Sequence, residues 1–270
     1  FDEKRVADSV KELQCEFTGN SFHMHMYMGV YEIRDRDEAV RIMVDKANIA
    51  ADTIKNNYDC CVAYYDEHLL EISIEQRRLL GEFEPALQKD EFVMYLQPQV
   101  KRDGAAKGAE ALVRWVHPSR GILTPYAFID ILENAGLIYK LDLYIWEKAA
   151  QKLAEWKEKG YGSYHISVNI STKDFYIIDI YETFTGLINK YGIAASNLHL
   201  EITETTLMTD FEKNMNIIHK LQDVGFRVEI DDFGSGYSSL NMLKDISADV
   251  LKIDMGFLRK SENEVKGQDI

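Results

Sequence analysis

The sequence predicts an α/β protein whose main sheet is largely parallel. Over residues 85–270, short apolar segments with strand-like patterns alternate with segments of helical spacing, as in strand–helix–strand units with parallel strands. Oxygen-bearing side chains recur where the strand-like segments end, so several strands are expected to share one polar rim. Hydrophobic residues make up 46% and charged residues 28% of the chain, an ordinary composition for a folded globular protein.

Length and charge exclude several classes of protein. The 270 residues suit one or two domains, and the longest apolar run, Cys60–Tyr65, has six residues, whereas a membrane-spanning helix needs ~20. Because the net charge is −14 and neither half is basic, we expect no contact with a nucleic-acid polymer or an anionic membrane. An anionic substrate remains compatible with this charge where cations are bound locally.

Cysteine usage and the first residues indicate the cellular setting. Cys15, Cys60 and Cys61 show no spacing typical of a disulfide framework or a zinc site, which favours a reducing, cytoplasmic compartment. The chain opens with the charged stretch Phe1–Arg5 and no initiator Met. We therefore expect no signal peptide, and we interpret the sequence as part of a longer protein that could carry a membrane anchor elsewhere.

The first 70 residues predict the order helix, strand, helix, strand. The helical segments repeat apolar residues every three or four positions, and the first strand alternates apolar and polar residues. His23 and His25 in that strand could bind a metal, but no Asp, Glu or Cys lies at ligand spacing, which favours the second face of a sheet. In chain order the four elements are 2–16, Phe22–Val30, 37–56 and Cys60–Tyr65.

The following region predicts a longer alternation of helices and strands. Pro125 after Thr124 is a helix start signal, and the glycines at 136, 160 and 225 are stop signals. Helices are predicted over Glu71–Gln88, Thr124–Gly136, 141–159 and Asp210–Gly225. Strands are predicted over Phe92–Val100, Gly108–Trp115, Tyr164–Ile170, Leu198–Thr203, Phe226–Asp231 and Asp249–Ile253.

Polar residues gather at the ends of these predicted strands with a regular spacing. Asn169 precedes Glu201 by 32 residues and Glu201 precedes Asp231 by 30, about one strand–helix unit each. An equal position in successive units places these side chains on one rim, where the catalytic residues of a barrel lie. The complete set is Glu110, Asn169, Glu201, Glu204, Asp231, Asp232, Lys252 and Asp254.

These residue types suit divalent cations. Carboxylate and amide oxygens are the ligands that Mg²⁺ or Mn²⁺ prefers, and the adjacent Asp231 and Asp232 could serve two ions ~3.5–4 Å apart. Lys252 could orient a water molecule, and Arg114 could bind phosphate oxygens. A plainer interpretation also stands at this point: acids after strands often cap helices or are solvated, Asp231-Asp232 could open a turn, and Lys252 could lie on the surface. Spacing alone names no substrate.

The same residues stand in motifs that resemble the EAL domain family of cyclic di-GMP phosphodiesterases. Glu110-Ala111-Leu112 matches the triplet that names the family, and Val113-Arg114-Trp115 continues it. Each motif alone is weak, but the ordered set from about residue 82 to 258 is highly specific. The other motifs are Gln97-Pro98, His117-Pro118 with Gly121 and Thr124-Pro125, Ser167-Val168-Asn169, Leu200–Glu204, Asp231–Leu240 and Leu251–Asp254.

The resemblance implies a (β/α)8 TIM-like barrel whose first strand is antiparallel, and hydrolysis of cyclic di-GMP to linear pGpG with two Mg²⁺ or Mn²⁺ ions. Asp231 would bridge the two ions with help from Asp232, and Lys252 would position or activate the attacking water. Glu204 would brace the loop 233–240, which in this family couples the site to homodimer formation. The ligands of the first ion would be Glu110, Asn169, Glu201 and Asp231, and the nucleotide contacts would be Gln97, Leu112 and Arg114.

The resemblance also divides the chain. Residues 1–69 resemble, more weakly, the C-terminal half of a GGDEF domain without its signature motif, which implies a regulatory or structural role and no cyclase activity. Residues 70–84 would be a linking helix, and residues 85–270 an EAL domain whose last two strands, with a further metal-side Glu, would follow Ile270. Gln99 departs from the family, which usually has an apolar residue there. Two alternatives to the enzyme remain: a receptor that binds cyclic di-GMP without cleaving it, and a scaffold for protein contacts.

Overall fold

A computed structural model describes residues 27–55, 61–234 and 248–254. The chain divides into two compact units, Phe1–Glu82 and Phe83–Ile270. The predicted helix 2–16, most of the predicted strand Phe22–Val30 and the pair His23 and His25 lie outside the described residues. Within the described ranges, no helix is both long enough and apolar enough to cross a lipid bilayer.

The first unit contains a two-stranded parallel sheet and a helix that connects its strands. Strand β1 (Met28–Val30) pairs with β2 (Val62–Tyr64), and α1 (Val40–Asp52) lies between them in the chain. Gly29 is required at its position, since a Cβ there would lie 1.7 Å from the carbonyl oxygen of Ala47 in α1. The next helix, α2 (Glu67–Gln88), begins four residues before the predicted Glu71.

The second unit is built on one seven-stranded sheet. Its order is β3-β4-β6-β7-β8-β9, with β5 paired to the outer part of β4. Strands β3 and β5 run antiparallel to β4, and every following pair is parallel. The strands are β3 (Phe92–Val100), β4 (Ala106–His117), β5 (Gly121–Leu123), β6 (His165–Ile170), β7 (Leu198–Thr203), β8 (Arg227–Phe233) and β9 (Val250–Ile253).

Six helices connect the strands of this unit. They are α3 (Ile129–Asn134), α4 (Ile138–Glu158), α5 (Asp174–Ile177), α6 (Ile180–Tyr191), α7 (Glu204–Thr209) and α8 (Phe211–Val224) among the described residues. The six strands predicted here and the helices near 141–159 and 210–225 are confirmed, whereas β5, α5, α6 and α7 were not individually predicted. The described strands form an open path, so closure of a barrel stays a prediction.

One predicted helix is wrong in its first half. Thr124 makes no capping hydrogen bond, Pro125–Ala127 forms a 3₁₀ turn, and α3 begins only at Ile129. Phe128 interrupts the helix with φ −141° because its ring is buried against Phe92 and Trp115. Asp210 likewise precedes its helix without capping it through its side chain.

Alternation along the parallel strands separates two kinds of side chain. The apolar residues of β6, β7 and β8 are buried on one face, against helices whose aromatic rings include Trp146 and Phe184 at 4.5 Å between centroids. The intervening residues point to the opposite face of the sheet and are mostly polar. That second face is also largely buried, because Ser167, Glu201 and Glu229 are each at most 3% exposed. Polar groups therefore fill the interior on this side.

Candidate functional site

Neighbouring strands bring the predicted site residues into line. Asn169 of β6 lies beside Glu201 of β7 in the register, and Asp231 of β8 lies beside Thr203, two residues beyond Glu201. On the antiparallel side, Gln97 of β3 is paired with Glu110 of β4. Since the parallel strands β6, β7 and β8 reach this rim at their carboxyl ends, Asn169, Glu201 and Asp231 lie on neighbouring strands at one rim, as their spacing along the chain predicted.

Lys252 of β9 lies at the centre of the carboxylates. Its ammonium donates hydrogen bonds to Glu110, at 2.9 Å from Oε2, and to Glu201. Oxygens of Glu110, Glu201 and Asp231 lie within 4.8 Å of one another. Residues separated by as many as 142 positions thus converge on one point.

Burial controls the charge of this cluster. Glu201 is fully buried, which raises the pKa of its carboxyl group to about 8 against the opposing effect of the Lys252 ammonium. Burial alone would lower the pKa of Lys252, but the carboxylates of Glu201 and Glu110 raise it above its usual value, so Lys252 is a cation. Glu201 Oε2 is buried and has no hydrogen-bond partner among the described residues.

The donor set fits divalent cations of the Mg²⁺ type. Glu110, Glu201 and Asp231 bring three carboxyl groups together, Asp232 follows Asp231 directly, and hard oxygen donors are what such ions bind. The unpartnered oxygen of Glu201 is one position that a cation would satisfy. The Lys252 ammonium itself shows that this cluster accepts positive charge, because it contacts two of the candidate ligands.

Asp232 and Glu204 lie at the edge of the cluster. Asp232 is exposed and has φ 54°, a left-handed conformation that turns the chain sharply after Asp231. Its carboxyl pKa is raised by partial burial and by the charges of Asp231 and Asp254. Glu204 is 4% exposed and accepts a hydrogen bond from the backbone N–H of Gly234 at 3.1 Å. It thereby contacts the start of the loop 233–240, of which residues 235–240 lie outside the described residues.

The three predicted nucleotide contacts differ in their surroundings. Gln97 is exposed beside Glu110. Leu112 lines a cavity of about 440 Å³ that Asn169 also lines. Arg114 lies next to the Tyr95 ring, with its guanidinium carbon 5.8 Å from the ring centroid, and donates to the backbone carbonyl of Val113. Leu112 and Asn169 therefore line a common cavity. Gln97 of β3 and Arg114 of β4 do not line it.

Acidic residues of this cavity were missed by the sequence analysis. Glu133 of α3 and Asp142 of α4 line it, and Trp146 closes one wall while its indole N–H donates to the Asn169 carbonyl at 2.9 Å. Burial and the nearby Asp174 raise the pKa of Asp142 well above its usual value. The sequence carried one sign of these acids, because Asp142 lies within the apolar stripe of the helix predicted over 141–159.

A buried polar chain below the carboxylates was also missed. Glu229 of β8 is 3% exposed and accepts a hydrogen bond from His199 Nδ1 at 2.5 Å, and its second oxygen lies 3.9 Å from the Lys252 ammonium. The His199 ring stacks on that of His165 at 3.8 Å between centroids, and His165 Nε2 donates to Gln99 Oε1 at 2.6 Å. Burial lowers the pKa of His165 to about 4, so this imidazole is neutral near pH 7.

The two histidines and Glu229 could also be considered as metal ligands. Their potential donor atoms lie within 4.8 Å of one another. However, each imidazole already has a hydrogen-bond partner, and the rings are parallel within 2°, so their in-plane lone pairs do not converge on one point. We therefore assign this group to the polar packing of the interior. His165, His199 and Glu229 lie on the same face of their strands as the predicted site residues, because each stands two or four positions before one of them. That alternation was the signal in the sequence.

Comparison with known proteins gives a family and a substrate class for relatives of this chain. Residues 81–270 match the family model described as the EAL domain. The bifunctional diguanylate cyclase/cyclic di-GMP phosphodiesterase MucR of Pseudomonas aeruginosa is 33% identical over 78% of this chain and 30% of its own length. The cyclic di-GMP phosphodiesterase NbdA of the same species is 28% identical over 94% of this chain and 33% of its own. The chain thus spans about a third of these two relatives.

A solved structure agrees with the family match. The PaMucR phosphodiesterase in complex with c-di-GMP aligns with a TM-score of 0.64 and 35% sequence identity, over 67% of this chain and 74% of that one. The EAL-type α/β fold expected from the motifs is therefore confirmed for this part of the chain.

Proposed function

The chain belongs to the EAL domain family, and from this premise we propose that it hydrolyses one phosphodiester bond of cyclic di-GMP to give linear pGpG in second-messenger signalling. The observation that carries the proposal is the convergence of Glu110, Glu201 and Asp231 beside the half-buried Lys252. A protein that used this face only for contacts with other proteins would have no need for three converging carboxyl groups, one of them fully buried.

Two Mg²⁺ or Mn²⁺ ions are part of the proposal. Glu110, Asn169, Glu201 and Asp231 would hold the first ion, and Asp231 with Asp232 the second. Bound there, the ions would activate water and offset charge on the phosphodiester. Glu110, Asn169, Glu201 and Asp231 lie on four neighbouring strands, and these fixed positions leave little reorganisation for binding.

Lys252 and the cavity supply the remaining parts of the mechanism. The ammonium of Lys252 would hold the attacking water by hydrogen bonding and offset the charge that develops on the phosphate. The cavity of about 440 Å³ beside Asn169 would take one guanine base, with the acids Glu133 and Asp142 facing its N–H groups. Gln97, Leu112 and Arg114 would contact the rest of the nucleotide.

The remaining parts of the chain have proposed roles as well. Residues 1–69 would be a GGDEF-like regulatory part without cyclase activity, joined by the linking helix 70–84 to the catalytic domain 85–270. Glu204 would couple the site to a homodimer through the loop 233–240, since its carboxylate already holds the backbone at Gly234. The proposed location is the cytoplasm.

The direct test is hydrolysis by the full-length protein that contains this chain. With Mg²⁺ or Mn²⁺ and cyclic di-GMP we expect chromatography to show pGpG, and EDTA to abolish its formation. Glu110→Ala should remove turnover, whereas Glu158→Ala, at an exposed position at the end of α4, should not. Intact nucleotide binding without turnover would instead identify a receptor, and no binding under any metal condition would favour a scaffold.

A further inference from the structure

Among the described residues, Glu229 is the buried carboxylate within 4 Å of the Lys252 ammonium that the proposed function does not use. We propose that Glu229 is a positioning residue: it receives the Lys252 ammonium when a divalent cation takes Glu110 and Glu201. The inference rests on the proposed metal site and adds to it a residue, outside the recognised motifs, on which cation affinity depends.

The geometry shows the two positions available to Lys252. Its ammonium contacts Glu110 and Glu201, and Glu229 Oε2 lies 3.9 Å from the same nitrogen. A small rotation about the flexible lysine side chain closes that gap, because the change needed is about 1 Å to reach hydrogen-bond distance.

Electrostatics makes such an exchange necessary. A divalent cation held by Glu110 and Glu201 repels an ammonium held by the same two oxygens, so Lys252 must leave them. The lysine side chain is only 23% exposed, and a buried ammonium without an anion is costly. In the part of the chain that the structure describes, Glu229 is the nearest carboxylate that is not itself a proposed ligand.

Glu229 is held ready for this role by the buried polar chain beneath it. His199 binds Oε1 and leaves Oε2 directed at Lys252. The His199 ring stacks on His165, whose Nε2 donates to Gln99, and neither of these two residues contacts Lys252.

The experiment is a double-mutant cycle on the binding of Mn²⁺ alone, by calorimetry or electron paramagnetic resonance on the full chain without nucleotide. The four proteins are the wild type, Glu229→Gln, Lys252→Met and the double variant. Glu229→Gln should raise the Kd for Mn²⁺ about tenfold, the lower end of the effect of residues that support metal ligands. In the Lys252→Met background the same substitution should change the Kd less than twofold, since no ammonium then needs a partner.

His165→Gln is the matched control for damage to the buried chain. It lies in the same chain of contacts but does not contact Lys252, so its Kd for Mn²⁺ should stay within twofold of the wild type. Glutamine at 229 keeps the size and an oxygen acceptor for His199, and circular dichroism checks that each variant is folded.

Three outcomes would overturn the inference. An equal loss of affinity with and without Lys252 would show that Glu229 acts directly on the cation. An equal loss in His165→Gln would show a general effect of the interior, and no Mn²⁺ binding by the wild type would remove the exchange altogether. The hydrolysis assay is separate: Mn²⁺ coupling without formation of pGpG would sustain this inference and reject the proposed function.

Discussion

His165 makes the stability of the second unit dependent on pH. Its ring is 6% exposed, stacks on His199 and has a pKa of about 4, with burial as the main cause and the charge of His199 as the next. Glu229 opposes the shift, and Lys107 and Arg227 add to it. In the unfolded chain the same imidazole has a pKa of ~6.5. Between these two values the unfolded state binds more protons, so lowering the pH favours unfolding.

The size of the effect follows from the same pKa values. The contribution of His165 to the free energy of unfolding is at its maximum above about pH 6.5 and falls as the pH is lowered towards 4. At pH 5 the pH is ~1.5 units below the unfolded pKa, and across that interval the unfolded state binds about one proton more than the folded state. The free energy of unfolding is therefore about 2 kcal/mol lower than at pH 7. Replacement by glutamine removes the titrating ring while it keeps a hydrogen-bond donor towards Gln99.

Urea unfolding at pH 7 and pH 5 measures this difference. The wild type should lose about 2 kcal/mol more than His165→Gln between the two pH values, whatever the cost of the substitution at pH 7. The comparison cancels carboxyl groups that titrate alike in both proteins. Equal losses would refute the argument that the interior below the carboxylates holds this imidazole neutral.

Two further substitutions, Gly108→Ala and Glu204→Ala, test contacts around the site, and a third serves as a control. Gly108→Ala should destabilise the protein by about 1–3 kcal/mol in urea unfolding, because the new Cβ would lie 2.4 Å from the His165 ring. Gly81→Ala is its control: nothing lies within 4 Å of the new Cβ, and stability should rise by about 0.5–1 kcal/mol, while a loss like that of Gly108→Ala would contradict the steric account. Glu204→Ala removes the acceptor for the Gly234 N–H, and turnover should fall about tenfold or more; unchanged turnover would separate Glu204 from the site.

The strand-end residues were predictable because they combine a chemical signal with a geometric one. Successive parallel strands of equal phase end at one rim, so Glu201 and Asp231 were placed together correctly from their spacing alone. The substrate was not predictable in this way. Oxygen ligands indicate a class of cation, and only the ordered motifs connected that cation to a cyclic dinucleotide.

Glu229 and His199 were missed for a physical reason. Alternation along a strand shows which residues share a face, but it does not show whether the polar face meets water or another part of the interior. In this molecule both faces are buried, and the polar residues of β7 and β8 satisfy one another. The partners of such groups depend on the register between strands, which the linear sequence leaves open.

Helix α6 was missed because neighbouring signals compete. Asp179 caps its first turn by accepting from Glu182 N, and Gly192 ends it with φ 60°, so both boundary signals were present. The stretch Phe175–Ile178 just before it is rich in aromatic and β-branched residues, which favour a strand. Packing of Phe184 against Trp146 decides for the helix.

The antiparallel pairing of β3 with β4 restricts insertions and deletions in the loop that connects these two strands. Gln97 is opposite Glu110 only because the connection between β3 and β4, together with the irregularity after Gln99, sets the pairing of the two strands. If a residue added within 101–105 were taken up by a one-residue slip of β3 against β4, every side chain of the slipped strand would turn to the other face and Gln97 would leave its place beside the carboxylates. Insertions in this connection should therefore preserve activity only where the loop itself takes up the added residues and the pairing of β3 with β4 is unchanged.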